Sequence, residues 1–296
     1  MFVLIALMNG AGKGWARGKT AATDPRVARN AAAHRGMTYT RHTPVELDRR
    51  MVNGSGHVAR RTLPLEWSPV MAYVVGLMAT DGCLLSKRKQ LNFKSADEQL
   101  VRTFLECLGR PPAYRTVRTL LGRLVYFTQF GDAEFYRWLQ GVGLMPRKSL
   151  VLGSLGVPDD HLFACARGLL DGDGSLVNFW YDGTGKARGR RYEGFVTAFS
   201  SASQPHLEWL RASLARSLGL KGGLCPQPPN EHGTVMWRLA YAIRESAILL
   251  PHLYPSWDAP CLLRKRRIWE NYATRHGLRV TIDGIAEDRG SYSCAA

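Results

Sequence analysis

The sequence predicts an α+β protein of two pseudo-symmetric repeats, each with a four-stranded antiparallel sheet and helices on one face. One order of elements occurs twice, about ninety residues apart: helix, two strands, helix, two strands, helix. Both copies open with an apolar helical run that ends in Asp-Gly. With 296 residues, of which 45% are hydrophobic, the chain can bury one or two ordinary cores.

In the first repeat, the run PVMAYVVGLMATDG predicts a helix that follows the breakers Pro64 and Pro69 and ends at Gly82. Residues 93–109 then predict a strand ending in Ser-Ala, followed by an amphipathic helix closed by glycine. The remaining predicted elements are a strand pair at 113–119 and 124–130 and a short helix at 132–140.

The second repeat opens with DDHLFACARGLLDGDG, which runs from Asp159 to Gly174 and is preceded by Pro158. Asp159 and Asp160 are candidate caps for this second helix. Residues 199–219 repeat the strand, the Ser-Ala pair and the glycine-closed helix. The remaining predicted elements are a strand pair at 223–227 and 234–240 and a short helix at 243–250.

Composition indicates a polyanionic partner. The chain has 40 Lys and Arg against 24 Asp and Glu, a formal net charge of +16. No run approaches the roughly 20 uninterrupted apolar residues of a membrane helix. The basic residues are distributed rather than concentrated on one amphipathic segment. Nucleic acid is therefore favoured over a membrane surface.

The cysteines and histidines form no recognisable site. The six cysteines are scattered without a C-x-x-C pair, which predicts neither a disulfide framework nor a zinc site. The histidines lack metal-ligand spacing, so an HNH-type nuclease centre is not expected. The apolar run 1–8 has no basic residue before it and no convincing cleavage pattern after it, so no signal peptide is expected. We expect a reduced intracellular protein of the cytoplasm, nucleoid or an organelle, not a secreted one.

Charge and apolar periodicity divide the chain into four parts. Residues 1–66 are rich in basic residues, Gly and Ala and have little periodicity, which predicts an arm or a small DNA-binding module. The first repeat is predicted at 67–157, the second at 158–279, and a tail at 280–296.

A stripe of small residues runs along each of the two motif helices, 69–82 and 159–174. Such a stripe lets two helix backbones approach closely. For one run alone, ordinary core packing would be the simpler interpretation, but the duplication favours pairing of the two helices around Gly76 and Gly168. The two stripes are Ala72, Gly76 and Thr80, and Ala164, Gly168 and Gly172.

Each motif helix ends in an aspartate, Asp81 or Asp173. An aspartate there faces the negative end of the helix dipole, which costs roughly 0.3–1 kcal/mol. Two such aspartates brought together by helix pairing would also repel each other. A divalent cation between them relieves both effects, and hard carboxylate oxygens suit Mg²⁺. On a basic protein, this arrangement predicts a metal-dependent site for phosphodiester cleavage.

The segments GLMATDG and GLLDGDG resemble the two copies of the LAGLIDADG motif, and the chain resembles a single-chain LAGLIDADG homing endonuclease over about 67–276. The resemblance implies that the sheets form a saddle over double-stranded DNA. It also implies a monomer that cleaves both strands across the minor groove of a long, nearly non-palindromic site and leaves short 3′ overhangs.

The same resemblance implies that Asp81 and Asp173 are the catalytic metal ligands, with Mg²⁺ as cofactor and Mn²⁺ or Ca²⁺ as further ions for that site. The first copy departs from the motif, having Ala79 where the second has Asp171. This departure suggests asymmetry between the repeats rather than inactivity.

A basic residue near each scissile phosphate is a further implication. Lys148 lies in a predicted loop after the last short helix of the first repeat, and Lys265 lies at the comparable point after the second. Both are candidate catalytic residues that would polarise the attacking water or stabilise transition-state charge. The alternative for each is a phosphate contact or a solvated lysine. Three arginines crowd Lys265: Arg264, Arg266 and Arg267.

Strand residues are predicted to recognise the DNA. Arg, Lys, Asn and Gln can pair with base edges, and other basic residues can hold phosphates. For any one residue, a solvated strand face is the simpler interpretation, so the prediction rests on the ensemble. In the first repeat the predicted contacts are Ser86, Arg88, Gln90, Asn92, Lys94, Arg115, Arg118, Arg123, Tyr126, Thr128 and Gln129. In the second they are Asn178, Trp180, Lys186, Arg188, Arg190, Arg191, Tyr192, Thr197 and Arg238.

Two outlying segments are predicted to add DNA contacts. The Gly/Arg-rich stretch 182–194 is expected to be a flexible hairpin tip that touches the DNA backbone. The N-terminal piece is similar to short modular DNA-binding segments of homing nucleases; its alternative is a disordered basic tail. The matching residues are Trp15, Gly18, Thr20, Asp24, Arg26 and Arg29.

Two alternatives to a homing endonuclease remain open. The same fold serves intron-RNA maturases and DNA-binding regulators that have lost cleavage. Retention of both motif aspartates favours cleavage activity but leaves open a bifunctional maturase, which would bind intron RNA as a further partner. The nuclease part of an intein is less favoured, because the chain has no splicing Cys or Ser at its start and no His-Asn at its end. A free-standing or intron-encoded protein is expected.

Overall fold

The described residues form an α+β structure with two antiparallel sheets, which confirms the predicted fold class. The computed structural model describes residues 39–42, 65–86, 89–119, 122–231 and 233–282, together with the single positions 22, 23, 25 and 28. Within these ranges, no helix has the length and apolarity needed to cross a membrane.

The first repeat contains all four predicted strands and extends them by one. A strand from the N-terminal segment pairs with the edge of this sheet, so that segment contributes to the fold. The strand order is β1-β4-β5-β3-β2. The elements are β1 (Tyr39–His42), α1 (Pro69–Thr80), β2 (Gly82–Leu85), β3 (Gln90–Ser95), α2 (Glu98–Cys107), β4 (Tyr114–Arg118), β5 (Leu124–Gly131) and α3 (Ala133–Val142).

The second repeat has the same topology. Its strand order β6-β7-β9-β8 matches the order β2-β3-β5-β4 of the first sheet. A final helix, α7, was not predicted from the sequence. The elements are α4 (Leu162–Asp173), β6 (Ser175–Asp182), β7 (Arg191–Ser201), α5 (Gln204–Leu218), β8 (Gly223–Pro226), β9 (Trp237–Tyr241), α6 (Ile243–Leu253) and α7 (Leu263–Arg275).

The two motif helices, α1 and α4, begin differently. The Ser68 hydroxyl accepts a hydrogen bond from the Met71 backbone N–H at 3.1 Å, and Pro69 occupies the first turn, so α1 has a capped start. The predicted caps of α4 are wrong. Asp159 and Asp160 instead form a 3₁₀ turn, and the N-cap residue His161 makes no side-chain cap hydrogen bond.

Helices cover one face of each sheet. Phe93 of β3 stacks on Phe104 of α2 at 4.2 Å between ring centroids, and Phe195 of β7 lies 4.4 Å from Tyr272 of α7. These rings are buried. Side chains alternate along a strand, so the intervening residues point to the opposite side, which we call the open face. The helices therefore leave each open face available to a partner.

Candidate functional site

Helices α1 and α4 cross with their backbones in contact. A Cβ atom added at Gly76 would lie 2.8 Å from Leu169 N and 2.9 Å from Gly168 Cα. A Cβ atom added at Gly168 would lie 2.9 Å from both Gly76 Cα and Leu77 N. Real Cβ atoms essentially never come this close to other heavy atoms, so glycine is required at both positions. The crossing is reciprocal and joins the two repeats.

This crossing brings Asp81 and Asp173 together. Asp81 is the C-cap of α1, and Asp173 is the last residue of α4. Burial is the main cause, and the charge of Asp173 the second, of a rise in the pKa of Asp81 to about 7. Burial also raises the pKa of Asp173. One carboxylate from each repeat thus contributes to a shared anionic site at the negative ends of two helices, where Asp81 is partly buried and Asp173 is more exposed.

Lys148 closes the end of α1. It lies in a 3₁₀ turn and is buried, with a side chain that reaches back to the motif helix. Its Nζ donates hydrogen bonds to Gly82 O at 2.6 Å and Thr80 O at 3.3 Å. The last carbonyls of a helix have no partner within the helix, so the lysine satisfies groups that would otherwise be orphaned. Its charge also lowers the pKa values of Asp81 and Asp173.

Lys265 does the same for α4, from the first turn of α7 rather than from a loop. Burial lowers its pKa to about 8, but its charge still lowers the pKa values of Asp81 and Asp173. The Nζ has three N–H donors and lies within hydrogen-bond distance of four carbonyl oxygens, which share them: Leu170 O (2.6 Å), Asp171 O (2.9 Å), Gly172 O (3.4 Å) and Gly174 O (2.6 Å). Both lysines therefore fasten the helix ends that carry the aspartates.

Asp171 forms a third, fully buried part of the site. Its Oδ2 accepts hydrogen bonds from the Tyr73 hydroxyl at 2.9 Å and from Leu262 N at 2.7 Å. Burial raises the pKa of Asp171 to about 6, although these bonds lower it. Leu262 is the N-cap of α7, so the Asp171 carboxylate lies at the positive end of that helix, where negative charge is stabilised. Asp171 thus ties α1, α4 and α7 together, and α7 positions Lys265.

Arg167 completes this buried network. Its Nε donates to Pro260 O at 2.9 Å and its Nη1 to Leu253 O at 2.7 Å. The guanidinium lies 5.2 Å from the centre of the Tyr73 ring, and its charge lowers the pKa of Asp171. Sequence reasoning missed Tyr73 and Arg167. The only sequence signal for the network was the difference between Asp171 and its counterpart Ala79.

The donor set at the shared site fits a divalent cation. Across the described ranges, no group of three or more His, Cys, Asp or Glu is placed to hold a metal. Mg²⁺ commonly binds through one or two carboxylates, with water and substrate phosphates as the other ligands. Asp81 and Asp173 supply hard oxygens, and Asp173 raises the pKa of Asp81, a repulsion that a cation would relieve.

The open face of the first sheet carries a polar row. Gln90 and Asn92 of β3 pair across the sheet with β5, and Gln129 Nε2 donates to Gln90 Oε1 at 2.9 Å. Lys94 and Arg115 flank this pair and are exposed. Two other predicted contacts lie in exposed turns, Ser86 and Arg123, and Arg88 lies outside the described residues.

Three predicted contacts in this sheet face the helices instead. Thr128 pairs with the core residue Phe93, is buried, and donates its hydroxyl to Ala113 O at 3.0 Å, so its predicted DNA contact is wrong. Tyr126 and Arg118 lie on that same side of β5 and β4. Residues an odd number of positions apart point to opposite faces, so these residues cannot share the open face with Gln129 and Arg115.

Several predicted DNA contacts of the second sheet also point away from its open face. Thr197 is fully buried beside Tyr241, so its predicted DNA contact is wrong. Asn178 and Trp180 also point away from the open face, to the helix side, although Trp180 is 51% exposed there. The Asn178 amide donates to Glu193 Oε1 at 2.8 Å, and its carbonyl accepts from Arg275 at 2.8 Å, so it ties the hairpin to α7.

The remaining predicted contacts of the second repeat are accessible or lie on the open face. Tyr192 and Arg238 are on the open face, and Arg191 lies over the Trp180 ring at 5.5 Å. The hairpin tip residues Lys186, Arg188 and Arg190 are exposed. The predicted N-terminal contacts Trp15, Gly18, Thr20, Asp24, Arg26 and Arg29 lie outside the described residues.

Comparison with known proteins gives structural neighbours but no sequence match. No protein-family model matches the chain, and no curated protein matches it. Full-length DUF199/WhiA from Thermatoga maritima is 13% identical with a TM-score of 0.43, over 71% of this chain and 63% of that one. The chain thus covers less than two thirds of that protein.

LAGLIDADG proteins recur among these neighbours. The N-terminal LAGLIDADG domain of DUF199/WhiA is 15% identical with a TM-score of 0.42, over 70% of this chain and 90% of that one. The homing endonuclease I-DmoI, in complex with DNA and Ca, is 13% identical with a TM-score of 0.41, over 64% and 91% of the two chains. The LAGLIDADG homing endonuclease I-GzeII, in complex with its DNA target, is 12% identical with a TM-score of 0.40, over 72% and 91%.

Proposed function

We propose that this protein is a site-specific double-stranded DNA endonuclease of the LAGLIDADG homing endonuclease type. The observation that carries the proposal is the convergence of one aspartate and one lysine from each repeat at the end of a reciprocal helix crossing. Two equivalent half-sites suit a substrate with two antiparallel strands, because each repeat then addresses one strand. A single chain with both half-sites acts as a monomer.

Asp81 and Asp173 would hold the divalent cation, with Mg²⁺ as the natural ion and Mn²⁺ or Ca²⁺ as alternatives. When bound there, such an ion polarises phosphate and supports attack by water. Lys148 and Lys265 keep the two helix ends, and hence the two carboxylates, fixed in relation to each other. They also keep positive charge beside the position of the phosphate, where negative charge develops in the transition state.

The open face of the first sheet would contact the duplex. Asn92, Gln90 and Gln129 carry the amide groups that read base edges, and Lys94 and Arg115 suit phosphates or guanine. The net charge of +16 supports a strong, salt-dependent contribution from the DNA backbone. The exposed basic tip of the β6–β7 hairpin would add backbone contacts.

Cleavage of a randomised double-stranded DNA library, with mapping of the cut ends, tests the proposal and defines the target site together. We expect paired cuts in Mg²⁺ or Mn²⁺ and none in EDTA. Asp81→Asn and Asp173→Asn should each reduce double-strand cleavage at least about 100-fold and leave binding in Ca²⁺ largely intact. Asp182→Asn, at the exposed end of β6, is the matched control and should cleave normally.

Full nicking and cleavage by both aspartate variants would overturn the assignment. Sequence-specific binding by the wild-type protein without cleavage in either ion would instead identify a DNA-binding regulator. Binding of the intron RNA in a parallel assay would add a maturase role.

A further inference from the structure

The β6–β7 hairpin presents an aromatic surface that duplex cleavage does not explain. Val177, Phe179 and Tyr181 are every second residue of β6, so their side chains share the open face. They are 42%, 41% and 50% exposed, respectively. Tyr192 of β7 lies directly across from Tyr181, with ring centroids 5.6 Å apart and planes inclined by 26°. The Phe179 and Tyr181 ring centroids are 5.9 Å apart. Three aromatic rings therefore form a continuous row on the open face, with Phe179 and Tyr181 exposed and Tyr192 partly buried.

Gly194 allows the Phe179 ring to lie flat on this sheet. The two residues pair across β6 and β7, and the ring occupies the space in which a Cβ atom of residue 194 would stand. The ring's Cε2 and Cε1 lie 2.7 and 2.8 Å from that position. A ring that lies over a strand in this way presents one of its faces, rather than its edge, to the open side.

The charges around this row favour a nucleic acid. The adjacent tip carries three exposed basic residues, whereas the side chains of the two acidic residues of the hairpin, Asp182 and Glu193, point to the opposite face. Glu193 also pairs there with the Arg275 guanidinium at 2.8 Å and lies 2.7 Å from His276 Nε2. The basic residues are Lys186, Arg188 and Arg190.

Unpaired bases fit this surface better than a duplex does. In a duplex, the base faces are stacked on one another, and a protein meets only base edges and phosphates. Phe179 and Val177 have no polar side-chain atoms with which to read an edge. Exposed aromatic faces beside basic residues are the usual means of binding single strands, because every base has a π face that can stack on them.

We propose that the open face of the β6–β7 hairpin binds single-stranded nucleic acid by stacking unpaired bases on Phe179, Tyr181 and Tyr192, with the basic tip holding the phosphates. This activity goes beyond the proposed cleavage and uses neither Asp81 nor Asp173. The shared chemistry is the exposed base, so RNA and single-stranded DNA are two arms of one test.

The test measures fluorescence anisotropy with the full-length protein in EDTA at constant salt. The probes are a short labelled oligoribonucleotide, the DNA oligonucleotide of the same sequence, and its duplex. Phe179→Leu and Tyr181→Leu remove a ring and keep an apolar side chain; each should weaken single-strand binding about fivefold or more. Gly194→Ala keeps every ring but displaces Phe179 from the sheet, and should weaken binding similarly. Binding of either single strand that is stronger than binding of the duplex supports the proposal. Comparison of the RNA and DNA oligonucleotides then identifies the preferred polymer.

Trp180→Leu is the matched control, because it removes a ring from the same strand on the opposite face. It should change single-strand affinity less than about twofold, and duplex affinity should stay within the same limit in all variants. Single-strand binding by the Phe179, Tyr181 and Gly194 variants equal to that of the wild type would overturn the proposal. An equal loss in Trp180→Leu, or a parallel loss for the duplex, would do the same. Thermal unfolding checks each fold; if the two ring variants do not fold, Gly194→Ala decides.

Discussion

Replacing Asp81 by Asn should stabilise the protein in the absence of metal, although it removes a proposed metal ligand. Burial and the neighbouring charge of Asp173 raise the pKa of Asp81 from 3.8 to about 7. Ionisation of Asp81 therefore costs free energy in the folded protein that it does not cost in the unfolded chain. Asparagine keeps the shape of the side chain and cannot ionise.

The direction of the pH dependence follows from proton binding. Between about pH 4 and pH 7, the folded protein retains a proton on Asp81 that the unfolded chain has released, so the free energy of unfolding falls as pH rises through this interval. At about 1.4 kcal/mol per pKa unit, the full shift would cost about 4 kcal/mol. Partial exposure and salt screening reduce the expected cost to about 1–2 kcal/mol, or about 2–8 °C in Tm.

Thermal unfolding followed by circular dichroism in EDTA measures this difference. Asp81→Asn should melt above the wild type at pH 7.5, and the two curves should converge near pH 4. Added Mg²⁺ should raise the wild-type Tm more than that of the variant, because a bound ligand stabilises the state that binds it. Asp182→Asn, which replaces an exposed carboxylate, should match the wild type at both pH values. A variant no more stable than the wild type at pH 7.5 would refute the reasoning.

Three further predictions concern stability, each measured by urea unfolding. Gly76→Ala should lower the free energy of unfolding by about 3 kcal/mol because the methyl group meets backbone atoms of α4, whereas Gly141→Ala in α3, with nothing within 4 Å, should be neutral or stabilising by up to about 1 kcal/mol; equal effects would contradict the crossing. Lys265→Met should destabilise more than Lys148→Met because four carbonyls rather than two lose their donor, and the reverse order would contradict this capping role. Arg167→Met should cost about 2–5 kcal/mol because one buried and one partly buried carbonyl lose their donor and the buried Asp171 carboxylate loses one of its nearby positive charges; a loss under about 1 kcal/mol would show that the network is not stabilising.

The sequence allowed the repeat order and the ends of the motif helices to be predicted, because both depend on local signals. Apolar periodicity marks α1 and α4, and Asp-Gly marks the point at which each leads into a strand. The small-residue stripes further suggested that these helices pair. In contrast, α7 was not recognised, since its basic first turn resembles a solvated segment. In the structure Lys265 and Arg266 are buried there, bonded to main-chain carbonyls.

The site's inner network could not be predicted from one sequence. Tyr73 and Leu262 reach Asp171 from 98 and 91 residues away, and no local pattern encodes either contact. The assignment of strand residues to the DNA-contacting face failed for a different reason. Alternation separates two sets of residues but does not say which set is buried, and at Thr128 and Thr197 that choice is made by partners on neighbouring strands and helices.

The bond between Tyr73 and Asp171 makes the two halves of this protein non-interchangeable. Cys165 occupies the place in α4 that Tyr73 occupies in α1, as the reciprocal contacts of the two glycines show. A dimer of two second repeats would therefore set each Asp171 against a thiol, and a dimer of two first repeats would set each buried tyrosine hydroxyl against Ala79. Neither symmetric assembly satisfies its own polar groups. Redesign by exchanging halves must therefore move the tyrosine and the aspartate as one unit.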